Sequence, residues 1–347
     1  MRKVKPLEWK DNKLTLIDQR RLPLHEEFLT FDTVEGVHGS IKDMVVRGAP
    51  LIGFTALFGM VIAANESQNL DVLTQKGEYL KTARPTAVNL AYEVDRAIDL
   101  AKSEIAEGRS QDLPKTLEKF ALDQMEKLHH DNLSMAKIAL EELTSIYGDK
   151  KLNLMTLCNT GFLACGPMGT ALGVIEHAFN EGRINHVYAS ETRPYLQGGR
   201  LTAYELTTNK IPHSVTVEGA FSYLLKNKLV DAIFIGADRI VKNGDTANKV
   251  GSSTLAIVAK HYGVPFYTVA PTSTFDLASQ TGDEIEIELR PEEEVLEAMG
   301  QRICPMESRA LNPSFDVTDH AHLTGIICEK GIIKNITPEN VEKTVRS

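Results

Sequence analysis

Hydrophobic and polar positions repeat with two different periods along this chain. In the first third, apolar residues recur at spacings of three and four with charges between them, over Leu51–Ala64, Ala87–Ile105, Leu113–His129 and Leu133–Ile146. That period predicts helices. Ahead of them, "LEWKDNKLTLIDQRRLP" alternates apolar and polar residues around an Asp-Asn pair and reads as a small hairpin. After "YGDK" at 147–150 the pattern changes. Short apolar runs, "LNLMTLC", "HVYASE", "HSVTVE", "DAIFIGAD" and "PFYTVAP", alternate with amphipathic stretches around Thr170–Asn180 and Leu201–Thr207. Nearly continuous apolar strands alternating with helices predict a mostly parallel sheet covered on both faces. The expected fold is therefore α/β: a mainly helical domain over 1–130 with a small β-hairpin region, then a Rossmann-like domain over 131–347.

The stretch Leu51–Ala64 is almost wholly apolar and about 14 residues long, short of the roughly 20 that a membrane span needs. It reads as a buried helix. The N-terminal "MRKVKPLEWKDNK" has no apolar core of the kind a secretory leader carries. The chain has 347 residues and a net charge of −9, which argues against a nucleic-acid surface. Its four cysteines, Cys158, Cys165, Cys304 and Cys328, form no close pair. They read as reduced thiols of a cytoplasmic protein. The ten histidines show no metal-ligand spacing, so no metal site is expected. The dinucleotide fingerprint, the nucleophile elbow and the P-loop are all absent.

Sites in parallel α/β sheets lie beyond the carboxyl ends of the strands. That rule singles out Cys158 and Asn159, then Glu191, Thr192 and Arg193, then Gly236, Ala237 and Asp238. A thiol at a strand end beside a helix start can act as a base or nucleophile; a cysteine there can also be structural. A carboxyl after four apolar residues is expected to be partly desolvated, which holds its proton for use as a general acid. It can equally cap a helix or pair with Arg239 or Lys242. "RGAP" (47–50), "ARP" (83–85) and "TRP" (192–194) each place an arginine before a proline near an expected helix start. Proline suits the first helical position, and the free amides of that turn together with a guanidinium favour an anion. Gly48 would let backbone approach a ligand closely. "GGRLTAYEL" and "NKVGSSTLA" add cationic, glycine-led helix starts. Together these point to a phosphorylated small molecule, although each arginine alone fits an ordinary solvated helix start.

The stretches "VRGAPLIG", "ARPTAVNL", "LCNTG", "ETRPYLQGGRLTAYEL", "GADRIVKNGDTANKVG" and "NPSFDVT" resemble the methylthioribose-1-phosphate isomerase family, from about Leu7 to Ile336. That family is related to the regulatory subunits of the translation initiation exchange factor and to ribose-1,5-bisphosphate isomerase. The resemblance implies a homodimer without a cofactor, acting on a small sugar phosphate. Its catalytic pair matches Cys158 and Asp238. Its substrate contacts match Arg47, Gly48, Ala49, Arg84, Gln197, Asn248 and Lys249. The implied reaction opens a furanose 1-phosphate to the ketose, with Asp238 as acid and Cys158 as base, or by a hydride shift. The 5-substituent is methylthio or hydrogen. Met168 and Ser253 stand where the family carries tyrosines, and Phe162 and Leu163 are bulkier than expected. The alternatives are ribose-1,5-bisphosphate isomerase and a non-catalytic regulator that senses sugar phosphates or nucleotides.

Overall fold

The computed structural model describes residues 4–85, 88–298 and 300–347. The chain divides into two compact units. The first comprises residues 1–130 and the segment 161–169; the second comprises 131–160 and 170–347.

The first unit opens with the expected hairpin. Strands β1 (Leu7–Lys10) and β2 (Lys13–Ile17) pair antiparallel around Asp11 and Asn12, whose φ values of 53° and 57° match a two-residue turn that follows strand twist. The structure adds a third strand, β3 (Phe28–Phe31), against β2. Helix α1 (Val34–Lys42) is capped by the Thr33 side chain. In α2 (Ala49–Glu66) every residue from Leu51 to Ala64 is buried. A helix that is apolar all round belongs at the centre of a core. Among the described residues this is the one helix long and apolar enough to cross a membrane by composition. Trp9 of β1 stacks on Phe58 of α2 with ring centroids 4.9 Å apart, which ties sheet to core. Helix α3 (Leu70–Lys81), capped by Asn69, and α4 (Val88–Ala106) complete the packing with the first half of α5 (Leu113–Tyr147). The two helices expected over 113–129 and 133–146 are thus one. Asp131 and Asn132 between them cost little helix propensity and neither is a proline.

The second unit carries a seven-stranded sheet. Its strands are β4 (Leu152–Thr156), β5 (Ile184–Ser190), β6 (His213–Thr216), β7 (Ala232–Ile235), β10 (Phe266–Val269), β15 (Gly325–Cys328) and β16 (Gly331–Ile333), in spatial order β16-β15-β10-β7-β4-β5-β6. All neighbours are parallel except the edge pair β15–β16. The chain winds from β4 outward to β5 and β6, then returns to β7 on the other side of β4. The switch point therefore lies between β4 and β7, where such sheets place their ligands. The connections hold α7 (Ala171–Asn180), α8 (Ala203–Thr208), α9 (Phe221–Lys226) and α10 (Ser252–Tyr262), and α12 (Pro338–Arg346) closes the chain. The single-turn α6 (Phe162–Cys165) belongs to the first unit.

The runs of apolar residues give no sign of a second, four-stranded sheet. It consists of β11 (Phe275–Asp276), β8 (Arg239–Val241), β9 (Thr246–Lys249) and β14 (Phe315–Thr318), in that order. Its strands have two to four residues and mixed polarity, too short for a periodic signal. The short α11 (Glu293–Leu296) precedes the paired β12 (Glu297–Ala298) and β13 (Gln301–Arg302).

Candidate active site

Two of the residues singled out at strand ends leave neighbouring strands at the switch point. β4 and β7 pair over Leu154–Ala232, Met155–Ile233 and Thr156–Phe234. Cys158 follows β4 by two residues and Asp238 follows β7 by three. Both emerge at the same carboxyl edge.

Cys158 is half-buried and has a φ of 68°. For a residue with a side chain this left-handed backbone costs about 1–2 kcal/mol and persists only where its surroundings enforce it. Here two threonines do so. The Cys158 N–H donates to Thr192 Oγ1 at 2.9 Å, and Thr202 Oγ1 donates to the Cys158 carbonyl at 2.6 Å. The Gln197 side-chain amide donates to Cys158 Sγ at 3.5 Å. Gln197 is 3% exposed, and its Oε1 is buried without a protein partner. A buried acceptor lacking a partner is costly.

Gln197 caps a π-helical turn, Gly198–Thr202, that leads into α8. Such turns concentrate at functional sites. Gly198 is required there, because a Cβ would lie 1.7 Å from the Ser190 carbonyl oxygen. Asn159 donates from Nδ2 to Thr202 Oγ1 at 3.3 Å and to the buried Glu205 at 2.8 Å. Glu218 holds the loop after β5. It accepts from the Thr192 N–H at 2.7 Å, from the Arg193 N–H at 3.4 Å and from the Ser190 hydroxyl. Burial, together with the Glu218 charge, pushes the Glu191 carboxyl upward against the pull of Arg193.

Asp238 differs from the expectation of a desolvated carboxyl: the residue is exposed. It sits past the end of the apolar strand, where the chain turns into the second sheet. Its N–H donates to the Ala247 carbonyl at 2.9 Å. Of the neighbouring cations, Arg239 lies 3.7 Å from Asp276 and Lys242 lies 3.5 Å from Glu342. The strand after Asp238 brings in β9 with Asn248 and Lys249. Asn248 is buried and donates to Ser252 Oγ at 2.9 Å. The Lys249 ammonium stands 4.7 Å from the centre of the Phe315 ring.

The arginine-led helix starts resolve differently from one another. "RGAP" does begin a helix: Gly48 is the N-cap of α2, with no side chain of its own to cap it, and Pro50 lies in its first turn. Arg47 is 8% exposed. Gly48 is needed for packing within its own unit. Its φ is 92°, and a Cβ would fall 2.4 Å from the Ala164 carbonyl oxygen within the same unit. Ala49 is the first residue of the helix. Arg84 lies, half-buried, in the link between α3 and α4; Thr86 and Ala87 of "ARPTAVNL" fall outside the described residues. "TRP" begins no helix. Arg193–Pro194 is a cis peptide, and the Arg193 guanidinium donates to the carbonyls of Pro194, Val295 and Glu297. The start of α10 after Lys249 is also taken. Asp316 of β14 accepts from the Gly251 N–H at 2.7 Å and the Ser253 N–H at 3.1 Å. Burial raises the Asp316 carboxyl, and those amide bonds oppose the rise.

Thr202, Glu218 and Asp316 carry no local signal of their roles, because each acts on a segment distant in sequence; Glu218, just past β6, is the one the strand-end rule could have singled out.

Comparison with known proteins agrees with the motif resemblance. The sequence pattern of the Initiation factor 2 subunit family matches residues 45–335. The methylthioribose-1-phosphate isomerase of Caldicellulosiruptor saccharolyticus is 41% identical over 98% of this chain and 99% of its own. The crystal structure of 5-methylthioribose 1-phosphate isomerase from Pyrococcus horikoshii OT3 superposes with a TM-score of 0.92 at 36% identity, over 99% of this chain and 96% of the other. That of the translation initiation factor eIF-2B, subunit delta, from A. fulgidus gives 0.89 at 33% identity, over 99% and 100%.

Proposed function

Because this chain belongs to the Initiation factor 2 subunit family and is an isomerase, we propose that it converts a 5-substituted ribose 1-phosphate to the ribulose 1-phosphate. The 5-substituent is methylthio or hydrogen. The observation that carries this reading is the placement of Cys158 and Asp238 just past the carboxyl ends of the neighbouring strands β4 and β7 at the switch point, with a buried amide donor on the thiol.

The phosphate on C1 locks the furanose, so no free aldehyde forms. The C1–ring-oxygen bond must break while phosphate stays. Asp238 donates a proton to the ring oxygen. Cys158 removes the proton from C2, which leaves an enol phosphate, and reprotonation at C1 gives the ketose. Acid–base pairs of this kind contribute about 10²–10⁴ each. A hydride shift from C2 to C1 reaches the same product. The family resemblance carries its substrate contacts over to Arg47, Gly48, Ala49, Arg84, Gln197, Asn248 and Lys249, residue types that bind phosphate and sugar hydroxyls. Fixing the sugar in this way removes much of the entropic barrier.

A non-catalytic regulator is the rival class. It has no use for a strained cysteine with an amide on its sulfur, and this detail favours the enzyme. The test is a side-by-side assay of 5-methylthioribose 1-phosphate and 5-deoxyribose 1-phosphate, with ribose 1,5-bisphosphate as the control. Turnover of one of the first two with the bisphosphate inert supports the reading. Turnover of the bisphosphate alone, or of none, overturns it. The two candidate sugars differ by an apolar group, and pockets discriminate such differences by about 1–3 kcal/mol.

A further inference from the structure

Cys158 is held by a device on which neither its strand position nor its neighbours in sequence depend. Its N–H ends on Thr192 Oγ1 at 2.9 Å and its carbonyl on Thr202 Oγ1 at 2.6 Å. Both hydroxyls are buried, Thr192 at 0% and Thr202 at 1% exposure. The Thr192 hydroxyl passes its own hydrogen to the Ser190 carbonyl at 3.0 Å, so it is free only to accept from Cys158. Thr192 itself has a φ of 62°, and its N–H is anchored by Glu218 at 2.7 Å. The Thr202 hydroxyl, which takes a hydrogen from Asn159 at 3.3 Å, is likewise oriented towards the Cys158 carbonyl. The two grips fix the peptide planes on both sides of the Cys158 Cα. Those planes decide where Sγ points, which is at the Gln197 amide.

We propose that Thr192 and Thr202 are positioning residues: their hydroxyls clamp the Cys158 backbone in the left-handed region so that the thiol meets Gln197, and Glu218 anchors the clamp. The catalytic meaning rests on the reading of Cys158 as the reacting base. The geometric meaning stands without it.

Backbone rotation by a few tens of degrees at Cys158 moves its sulfur by an ångström or more, a displacement that costs rate on the order of 10²-fold when it affects a reacting group. Valine keeps the shape of threonine and removes the hydroxyl; serine keeps the hydroxyl. Thr192→Val and Thr202→Val are expected to lower kcat by about tenfold or more on the sugar 1-phosphate with smaller changes in KM, and the serine variants to restore most of it. The decisive readout needs no turnover. It is the rate of iodoacetamide alkylation at Cys158, followed by mass spectrometry of its peptide in the full-length protein. Gln197→Leu alters that rate in the wild-type background. In the Thr192→Val background it alters it no further, because the thiol has already left the amide. Additive effects of the two substitutions overturn the clamp, and valine variants with wild-type kcat overturn its catalytic meaning. If a valine variant does not fold, Glu218→Gln is read in its place, and an unchanged kcat together with additive alkylation rates overturns the proposal. Normal turnover by Cys158→Ser would overturn the catalytic reading alone, and the alkylation cycle would still decide the clamp.

Discussion

Helices α2 and α10 are each preceded by a cation and a glycine, Arg47 and Gly48 before one, Lys249 and Gly251 before the other. In α10 the first amides are occupied: Asp316, far along the chain, accepts from Gly251 and Ser253. At α2 the N-cap is a glycine, with no side chain of its own to cap with, and the buried Arg47 stands just before it. Two starts that read alike in sequence therefore differ in what the fold brings to them: the dipole of α10 is met by a carboxylate from β14. A glycine-led cationic helix start predicts an anion site only when no acid from elsewhere in the fold reaches it first.

The largest effect that sharpens this contrast is at Arg47. Arg47→Ala is expected to raise KM for the sugar phosphate by about 100-fold, near the 2–5 kcal/mol of a buried charge pair losing one partner, while Lys249→Ala leaves α10 capped and affects sugar binding less. Steady-state kinetics on both variants decides. A larger KM effect from Lys249 than from Arg47 would break the comparison. Gly48→Ala comes next. It forces a side chain into the Ala164 backbone at a φ of 92°, and thermal unfolding is expected to show a loss of about 3 kcal/mol. The equivalent change Gly251→Ala makes only ordinary van der Waals contact, at 3.4 Å from the Leu157 side chain, and costs what its backbone conformation costs, about 1–2 kcal/mol.

The smallest effects fall on the cap. Asp316→Ala is expected to cost about 1–2 kcal/mol of stability, as N-cap truncations do, and Asp316→Asn less than 1, because asparagine caps well. The pH dependence carries a definite sign. Burial raises the Asp316 carboxyl in the folded state, so its contribution is fully present below the unfolded value of about 3.9 and is lost as pH rises through the folded value. Asp316→Asn removes that titration. Denaturant unfolding between mildly acidic and neutral pH should show the variant losing less stability than the wild type as pH rises. A steeper loss in the variant would contradict the burial argument.

The elements with long, unmixed periods were legible in the sequence. The hairpin turn at Asp11-Asn12, the buried helix over Leu51–Ala64 and the five apolar strands stand where the pattern places them, with α/β winding around β4 and β7. The two-to-four-residue strands of the second sheet were not, although they carry Asn248 and Lys249. The positions of Cys158 and Asp238 past the ends of β4 and β7 were legible from the strand pattern. The surroundings of each were not. Asp238 is exposed because the chain turns outward into β8, a consequence of tertiary pairing with β9. Arg193 spends its guanidinium on carbonyls near residue 295, and no local pattern reports partners about a hundred residues away. The threonine grips on Cys158 belong to the same class of long-range detail.

The central claim is that Cys158 and Asp238 carry out the chemistry. Its most direct test is ketose formation from the preferred sugar 1-phosphate by Cys158→Ser and Asp238→Asn, with substrate affinity measured by calorimetry on the same samples. The account predicts that turnover falls by about 10³-fold or more in each while affinity stays within about threefold. Turnover near that of the wild type in either variant would contradict it.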